Sequence, residues 1–451
     1  MIWPFRPHPP LSLNHKVTCE RRFAEIGRLL RHRLPRPATI VRPEEIATLI
    51  DGCSQGDLPQ SLFGFMRARI FPEDTIPAGW AEAETLTING QSLPYAITSD
   101  ETGQATGIHF HPLLKHTPER LAAVTATAAA EHLVCSQKLA DRLSSSSFEL
   151  IPLFFGFGPL MSHAAMYELP DAAKGLELTR TARVGAVSPL DFGYSMALAD
   201  WSLKTNHEDF LNVLRLDAKE GLQKGLRFLR KTNDCSFETD FLERQEADTV
   251  GFVMARLQGR SHSRQLNTLL DLYSAPDRLD DDLMEPVAGL LRHPEAEIQR
   301  MATATLARCS ILPRAVHDEL VILAEDGSAA IRRAAVSALR PGYDNDDSVL
   351  EMMIEFLRRS DRALIAVSLN TLLKYNSWPD GVSDAVLKAL STMVLSSGMD
   401  DLALGVRLLE KAHADPDQAL TLHFADDPTA LAIFAELKGH DPELSGTANA
   451  D

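Results

Sequence analysis

The C-terminal part of this chain repeats itself at a fixed step, and no other feature constrains the fold as strongly. Ile298-Gln-Arg-Met-Ala302-Thr-Ala-Thr-Leu306 recurs as Ile331-Arg-Arg-Ala-Ala335-Val-Ser-Ala-Leu339 and again as Leu364-Ile-Ala-Val-Ser368-Leu-Asn-Thr-Leu372, 33 residues on each time. Every copy sets a large apolar residue at i, a small one at i+4 and Leu at i+8, which is one face of an α-helix. A unit with one such face cannot bury it alone, so successive units must stack as an α-solenoid. The periodicity predicts helices over 263–274, 280–292, 295–308, 313–325, 328–340, 346–359, 361–375, 382–397 and 400–413. Solenoids usually present a surface, which biases the reading toward binding.

With 451 residues the chain should hold two or more domains. A net charge of −17 makes nucleic acid or an anionic membrane a poor default partner. The cysteines (Cys19, Cys53, Cys135, Cys235, Cys309) are odd in number, scattered and without a CxxC pair, so reduced thiols in a cytoplasmic protein fit better than a disulfide framework or zinc ribbon. The N-terminus lacks the apolar run of a secretory signal. The only candidate membrane span, residues 148–166, is interrupted by Glu149, His163 and two prolines and reads as a buried helix.

In the N-terminal half, residues 18–34 read as an amphipathic helix, with Phe23, Ile26, Leu30 and Leu34 on one face and Arg21, Arg22, Arg28 and Arg31 elsewhere. It can dock on its own domain or lie on a membrane. Residues 35–80 are mixed and proline-rich. Alternation and the Asn89-Gly90 turn predict β structure over 85–111. Thr117 and Pro118 open a helix running through 134. A second, very apolar helix is expected over about 148–167. Ser188-Pro-Leu-Asp191 opens another with a capping-box pattern, residues 208–231 are helical, and 238–262 form a helix and polar connector.

Two resemblances follow. Asp326, Gly327 and Arg332-Arg333 leading into Ala334-Ala-Val-Ser-Ala-Leu339 resemble the HEAT repeat, best over 297–339, with decay after Pro379 as in a terminal capping repeat. Phe155-Gly-Phe-Gly158, Phe192-Gly-Tyr-Ser-Met-Ala197 and Gly225-Leu-Arg-Phe-Leu-Arg-Lys-Thr-Asn-Asp234 resemble, in the same order, segments of an uncharacterised bacterial gluzincin-like family. Trp3-Pro-Phe and the run beginning at Cys19 add to that likeness, which covers residues 1–240.

That family carries HExxH on its first helix, where two imidazoles at i and i+4 bind zinc and the glutamate between them is general base. Matching the helix start and the Gly-Phe-Gly segment puts Thr127, Ala128 and Glu131 on the His, Glu and His positions, and Glu149 on a downstream acidic one. A hydroxyl is a poor neutral ligand for zinc and a methyl takes no proton. The resemblance therefore implies a fold kept and a chemistry lost, with Glu131 and Glu149 as relict positions. Further candidates are the pair His109 and His111 with His116, a relict set of Glu131, His132, Glu149 and His163, a Cys135 thiol near His132, and a basic helix with Lys219, Lys224, Arg227, Arg230 and Lys231 around Gly221 and Gly225. Their plain readings are an edge-strand pair without a role, ordinary helix neighbours and a solvated face.

The sequence thus predicts a mostly α protein: a degenerate, zincin-like α+β domain over 1–240, a connector over 241–262, an all-α HEAT-like solenoid over 263–440 and a disordered tail over 441–451. It predicts a non-catalytic protein-binding or scaffold protein without cofactor or metal, binding through a surface that includes Arg332, Arg333, Arg358 and Arg359. The alternatives are a metal-dependent hydrolase with an atypical site and a nucleic-acid-binding repeat protein, the latter opposed by Asp280 to Asp282, Asp344, Asp346 and Asp347.

Overall fold

A computed structural model describes residues 8–437, apart from 35–38, 71–75, 83–86, 89–90, 93, 103, 138, 140–142, 144, 165, 172–177, 184–186, 244–248, 310 and 395–397. The Asn89-Gly90 turn, residues 1–7 and the 441–451 tail lie outside the described residues. The described chain is mostly helical, and its contacts divide it into two units: residues 1–248 with 260–267, and residues 249–259 with 268–451.

The first unit holds helices α1 (Leu13–Leu30), α2 (Pro43–Asp51), α3 (Leu58–Ile70), α4 (Pro118–Ser136), α5 (Ser145–Phe148), α6 (Ile151–Phe154), α7 (Gly158–Ala164), α8 (Pro189–Ser202) and α9 (Leu216–Thr232). Its strands are β1 (Ala78–Trp80), β2 (Thr87–Ile88), β3 (Gln91–Ser92), β4 (Tyr95–Ser99), β5 (Ala105–Phe110), β6 (Met166–Asp171) and β7 (Leu178–Arg183). One sheet runs β1-β5-β4, parallel between β1 and β5 and antiparallel between β4 and β5; β2-β3 and β6-β7 are separate antiparallel pairs.

Helix α4 is buried almost all round, because Ala122, Ala123, Ala126, Ala128, Ala129 and Ala130 are small enough to let α3, α7 and the sheet close on it. The apolar face of α1 is spent in the core. Phe23 stacks on Phe154 with centroids 4.5 Å apart, and Phe23, Ile26 and Leu30 are all buried. Each such side chain is worth roughly 1.5–3 kcal/mol of burial, so docking on its own domain outweighs lying on a membrane.

The long helix expected over 148–167 is a correction. The chain instead forms α5, α6 and α7 and then turns into strand β6. Pro152 sits at the first turn of α6, and Gly156 at φ 87° ends it in a left-handed conformation. A Cβ at Gly156 would lie 2.1 Å from the Thr39 carbonyl oxygen. No described helix is long and apolar enough to cross a membrane. Helices α2 and α3 occupy the proline-rich stretch read only as mixed.

The second unit contains α10 (Val250–Leu257), the rest of α11 (His262–Ser274), α12 (Asp281–Gly289), α13 (Ala296–Leu306), α14 (Arg314–Asp326), α15 (Ala329–Ala338), α16 (Asp346–Leu357), α17 (Arg362–Leu372), α18 (Val382–Met393), α19 (Met399–Ala412), α20 (Pro416–His423) and α21 (Pro428–Leu437). Neighbours pair as α14 with α15, α16 with α17 and α18 with α19, while α13, α15, α17, α19 and α21 pack in succession. The repeated positions make those contacts: Ile298, Ala302, Leu306, Ile331, Ala335, Leu339, Leu364, Ser368 and Leu372 are all buried.

Candidate functional site

Thr127, Ala128 and Glu131 lie on α4 as the helical reading requires. The Thr127 hydroxyl donates to its own helix, at 3.3 Å from the Ala123 carbonyl oxygen, and Ala128 is fully buried. Glu131 accepts a hydrogen bond from the hydroxyl of Tyr95 on β4. Glu149, in the turn after α5, accepts from the Val187 backbone N–H at 3.0 Å. Burial pushes the Tyr95 phenol well above its ordinary range, and the charges of Glu131 and Glu149 push it further. The fold therefore brings Glu131 and Glu149 around one phenol that sequence reasoning did not single out, because a tyrosine on an alternating strand looks like sheet packing. His132 is buried beside the Phe63 ring, with centroids 6.4 Å apart. The side chain of His163 lies outside the described residues.

The pair His109 and His111 does not sit on an edge strand. β5 is the central strand of its sheet, and His109 lies between Gly79 and Ala96. His111 follows the strand and is buried, its Nδ1 accepting the Leu113 N–H at 3.2 Å as the cap of the 3-10 turn Pro112–His116. His116 is exposed. The alternation was read correctly, but the pairing partner β1 is only three residues long and gave no signal.

A second buried pair was not flagged by the sequence. His207 Nδ1 lies 2.7 Å from Asp200 Oδ1, and that carboxylate also accepts from the Thr205 hydroxyl and the N–H groups of His207 and Glu208. Burial alone would raise the Asp200 carboxyl, but its bonds to His207 more than offset this and hold it below the usual range. The pairing resembles the base half of a nucleophilic arrangement. However, His207 is fully buried, its Nε2 has no hydrogen-bond partner among the described residues, and a Cβ at Gly158 would lie 2.7 Å from that nitrogen. Gly158 of the Gly-Phe-Gly segment thus makes room for an imidazole that ties down the left-handed turn at Lys204 and Asn206.

On α1, His15 and Cys19 face Asp191 at the start of α8, with His15 Nε2 3.2 Å from Asp191 Oδ2. A cleft of about 710 Å³ lies between α2 and the first turn of α4, among Val41, Ile46, Ile50, Pro118 and Leu160. Glu131 is farther along the same helix by about 20 Å at 1.5 Å per residue, so this cleft does not open on the relict positions.

The basic helix is α9. Gly221 and Gly225 face α8, where a Cβ would meet the Leu190 carbonyl oxygen at 2.4 Å and the Tyr194 ring at 2.7 Å. Lys224, Arg227, Arg230 and Lys231 are exposed, with Lys224 paired to Glu220 and Arg230 to Glu208. Of the four arginines expected to face a partner, Arg332 donates to the Ala324 and Glu325 carbonyls that end α14, each at 3.1 Å. Arg333 is 3.6 Å from Asp361, Arg358 is 3.6 Å from Glu355, and Arg359 lies over the Phe356 ring at 4.8 Å.

Compared with known proteins, the chain matches no protein-family model, no curated protein and no solved structure.

Proposed function

We propose that this chain is a non-catalytic, cytoplasmic protein-binding or scaffold protein. In this reading the second unit is a HEAT-like solenoid that offers the binding surface, and the first is a zincin-like domain that has kept a fold and lost its zinc chemistry. The observation that carries the reading is the hydrogen bond from Tyr95 to Glu131, the one remaining acid of the degenerate motif. With Thr127 bonded to its own helix and Glu149 to a backbone N–H, the groups at the relict positions are engaged within the chain. The in-register burial of the 33-residue repeat supports the solenoid, since each unit buries its face only against the next. Arg333, Arg358 and Arg359 are partly exposed cations on that unit, suited to the rim of a protein interface.

Two measurements test this. Full-length protein immobilised in native lysate should retain a protein partner that the Arg358→Glu, Arg359→Glu double variant loses. The same protein, supplied with zinc, should leave an unfolded protein substrate uncut. Peptide-bond cleavage that disappears in Glu131→Gln would overturn the reading in favour of an atypical hydrolase. Salt-sensitive retention of DNA at physiological ionic strength would move it to nucleic-acid binding.

A further inference from the structure

We infer that His15, Cys19 and Asp191 form a binding site for a zinc-class divalent cation, with the remaining coordination position open to solvent. Three features argue for it. His15 and Cys19 are four residues apart on α1, so imidazole and thiol leave the same face of the helix. Asp191 is held from the other side by the capping box of α8, its Oδ2 accepting the Ser188 N–H at 3.3 Å while its own N–H donates to the Ser188 hydroxyl at 3.2 Å. One ligand atom from each residue lies within 4.8 Å of the others, and His15 Nε2 is already 3.2 Å from Asp191 Oδ2. Tetrahedral zinc with bonds of 2.0–2.3 Å sets its ligand atoms about 3.3–3.6 Å apart, so side-chain adjustments of about an ångström close the site.

The second oxygen of the same carboxylate adds an independent argument. Asp191 is 6% exposed, and its Oδ1 is buried without a hydrogen-bond partner among the described residues. Buried acceptors are nearly always satisfied, and one left over in a charged group calls for a ligand. An ion pair to His15 explains Oδ2 and leaves Oδ1 unexplained. Thiolate, imidazole and carboxylate together are a soft, mixed donor set that selects zinc over magnesium or calcium. Two features oppose a cation here: the charge of Arg22 acting on Cys19, and the positive end of the α8 dipole. The two negative charges of thiolate and carboxylate outweigh them. Burial, and next the charge of Asp191, push the Cys19 thiol up, so the metal must displace a proton as it binds. His15 is exposed, which gives the ion an entry route and a water ligand. Bound there, the cation would fasten α1 to the beginning of α8.

The test uses full-length protein stripped of metal. Cobalt should bind one equivalent with a thiolate-to-cobalt charge-transfer absorption, and zinc should displace it while magnesium does not. Zinc should also raise the melting temperature in a concentration-dependent way. Cys19→Ser should abolish the absorption, and Cys135→Ser should leave it. His15→Ala changes an exposed residue, and it should weaken zinc binding by at least about tenfold, the lower end of what even a supporting residue costs. A wild-type protein with no absorption in excess cobalt would overturn the site. So would an absorption that survives Cys19→Ser, or zinc affinity unchanged in His15→Ala. If Cys19→Ser fails to fold, the His15→Ala measurement decides alone. None of these outcomes bears on partner capture, so this site and the scaffold reading stand or fall separately.

Discussion

Lys16 is a charged residue that the first unit has taken wholly out of water. It is fully buried, as is Glu20 one helical turn on, with Nζ 3.0 Å from Glu20 Oε1 and 3.7 Å from Asp234 Oδ2. It also donates to Ser263 and lies 5.0 Å from the Phe228 ring centroid. The lone pairs of its partners are met by the Tyr194 hydroxyl and the Ser236 N–H on Glu20, and by the Ser261 hydroxyl and the Ser263 N–H on Asp234. Burial alone would lower the Lys16 ammonium, but the two carboxylates outweigh it and hold it above the ordinary lysine range. A complete network of this kind fixes α1 against the segments at 234–236 and 261–263, yet it is worth little over an apolar replacement. Removing Lys16 is different, because Glu20 and Asp234 keep their hydrogen bonds but lose the cation that offsets their buried charge. Lys16→Met should cost about 3–5 kcal/mol in denaturant unfolding of the full chain, and adding Glu20→Gln should recover part of it. Asp234 supplies the pH dependence. Burial would raise its carboxyl, but Lys16 and the hydrogen bonds hold it below the ordinary value. A folded-state value below the unfolded one contributes stability that is present above about pH 4 and is lost as pH falls through the folded value. Lys16→Met should flatten that acid limb of the stability curve. In the sequence, Lys16 precedes the amphipathic helix read over 18–34 and is not singled out, since partners more than 200 residues away leave no local mark.

Helix contacts were partly legible and partly not. The capping box Ser188/Asp191, the proline-opened α4 and the buried face of each repeat were read directly, because each rests on residues within one or two turns. The breaks between α5, α6 and α7 were not, since a run of apolar residues does not reveal whether Gly156 will take a positive φ. Glycines on α8 and α9 carry the clearest consequence at this level. A Cβ on Gly193 would sit 2.1 Å from the Ala218 carbonyl oxygen, a backbone atom that cannot swing aside. Gly193→Ala should therefore force the two helices apart at a cost of about 1–3 kcal/mol, the range for overpacking. Gly64, in α3, has nothing within 4 Å of the added carbon, and Gly64→Ala should stabilise by about 0.4–1 kcal/mol. Thermal unfolding of the two variants side by side checks the opposite signs.

Across the second unit as a whole, polar bonds between repeats complement the apolar faces. Arg340 donates to the Ala307 carbonyl, and Lys374 donates to the Ser337 carbonyl at 2.8 Å, so a cation at the end of one helix satisfies the open carbonyls at the end of the corresponding helix of the preceding repeat. Thr371 likewise donates to the Val336 carbonyl at 3.0 Å. Burial and the neighbouring Arg340 charge bring the Lys374 ammonium down to about 7. An unfolded lysine holds its proton to about pH 10, so between these values the unfolded chain binds more protons and stability rises with pH. The buried thiols, raised in the folded chain, act with the opposite sign in the same window but are common to both proteins, so in denaturant unfolding from pH 7 to pH 10 the stability of the full chain relative to Lys374→Met should rise with pH.

The amino-acid sequence alone determined the repeat, its helix register and its buried positions, because a helix face is written at a spacing of three and four residues. Only the tertiary structure decided that Tyr95 would meet Glu131, that Lys16 would be enclosed by Glu20 and Asp234, and that His15 and Cys19 would face Asp191. Apart from Lys16 with Glu20, those contacts join residues far apart in the chain, and their energies come from burial and charge at distances of about 3 Å. Such distances exist only once the intervening segments have packed.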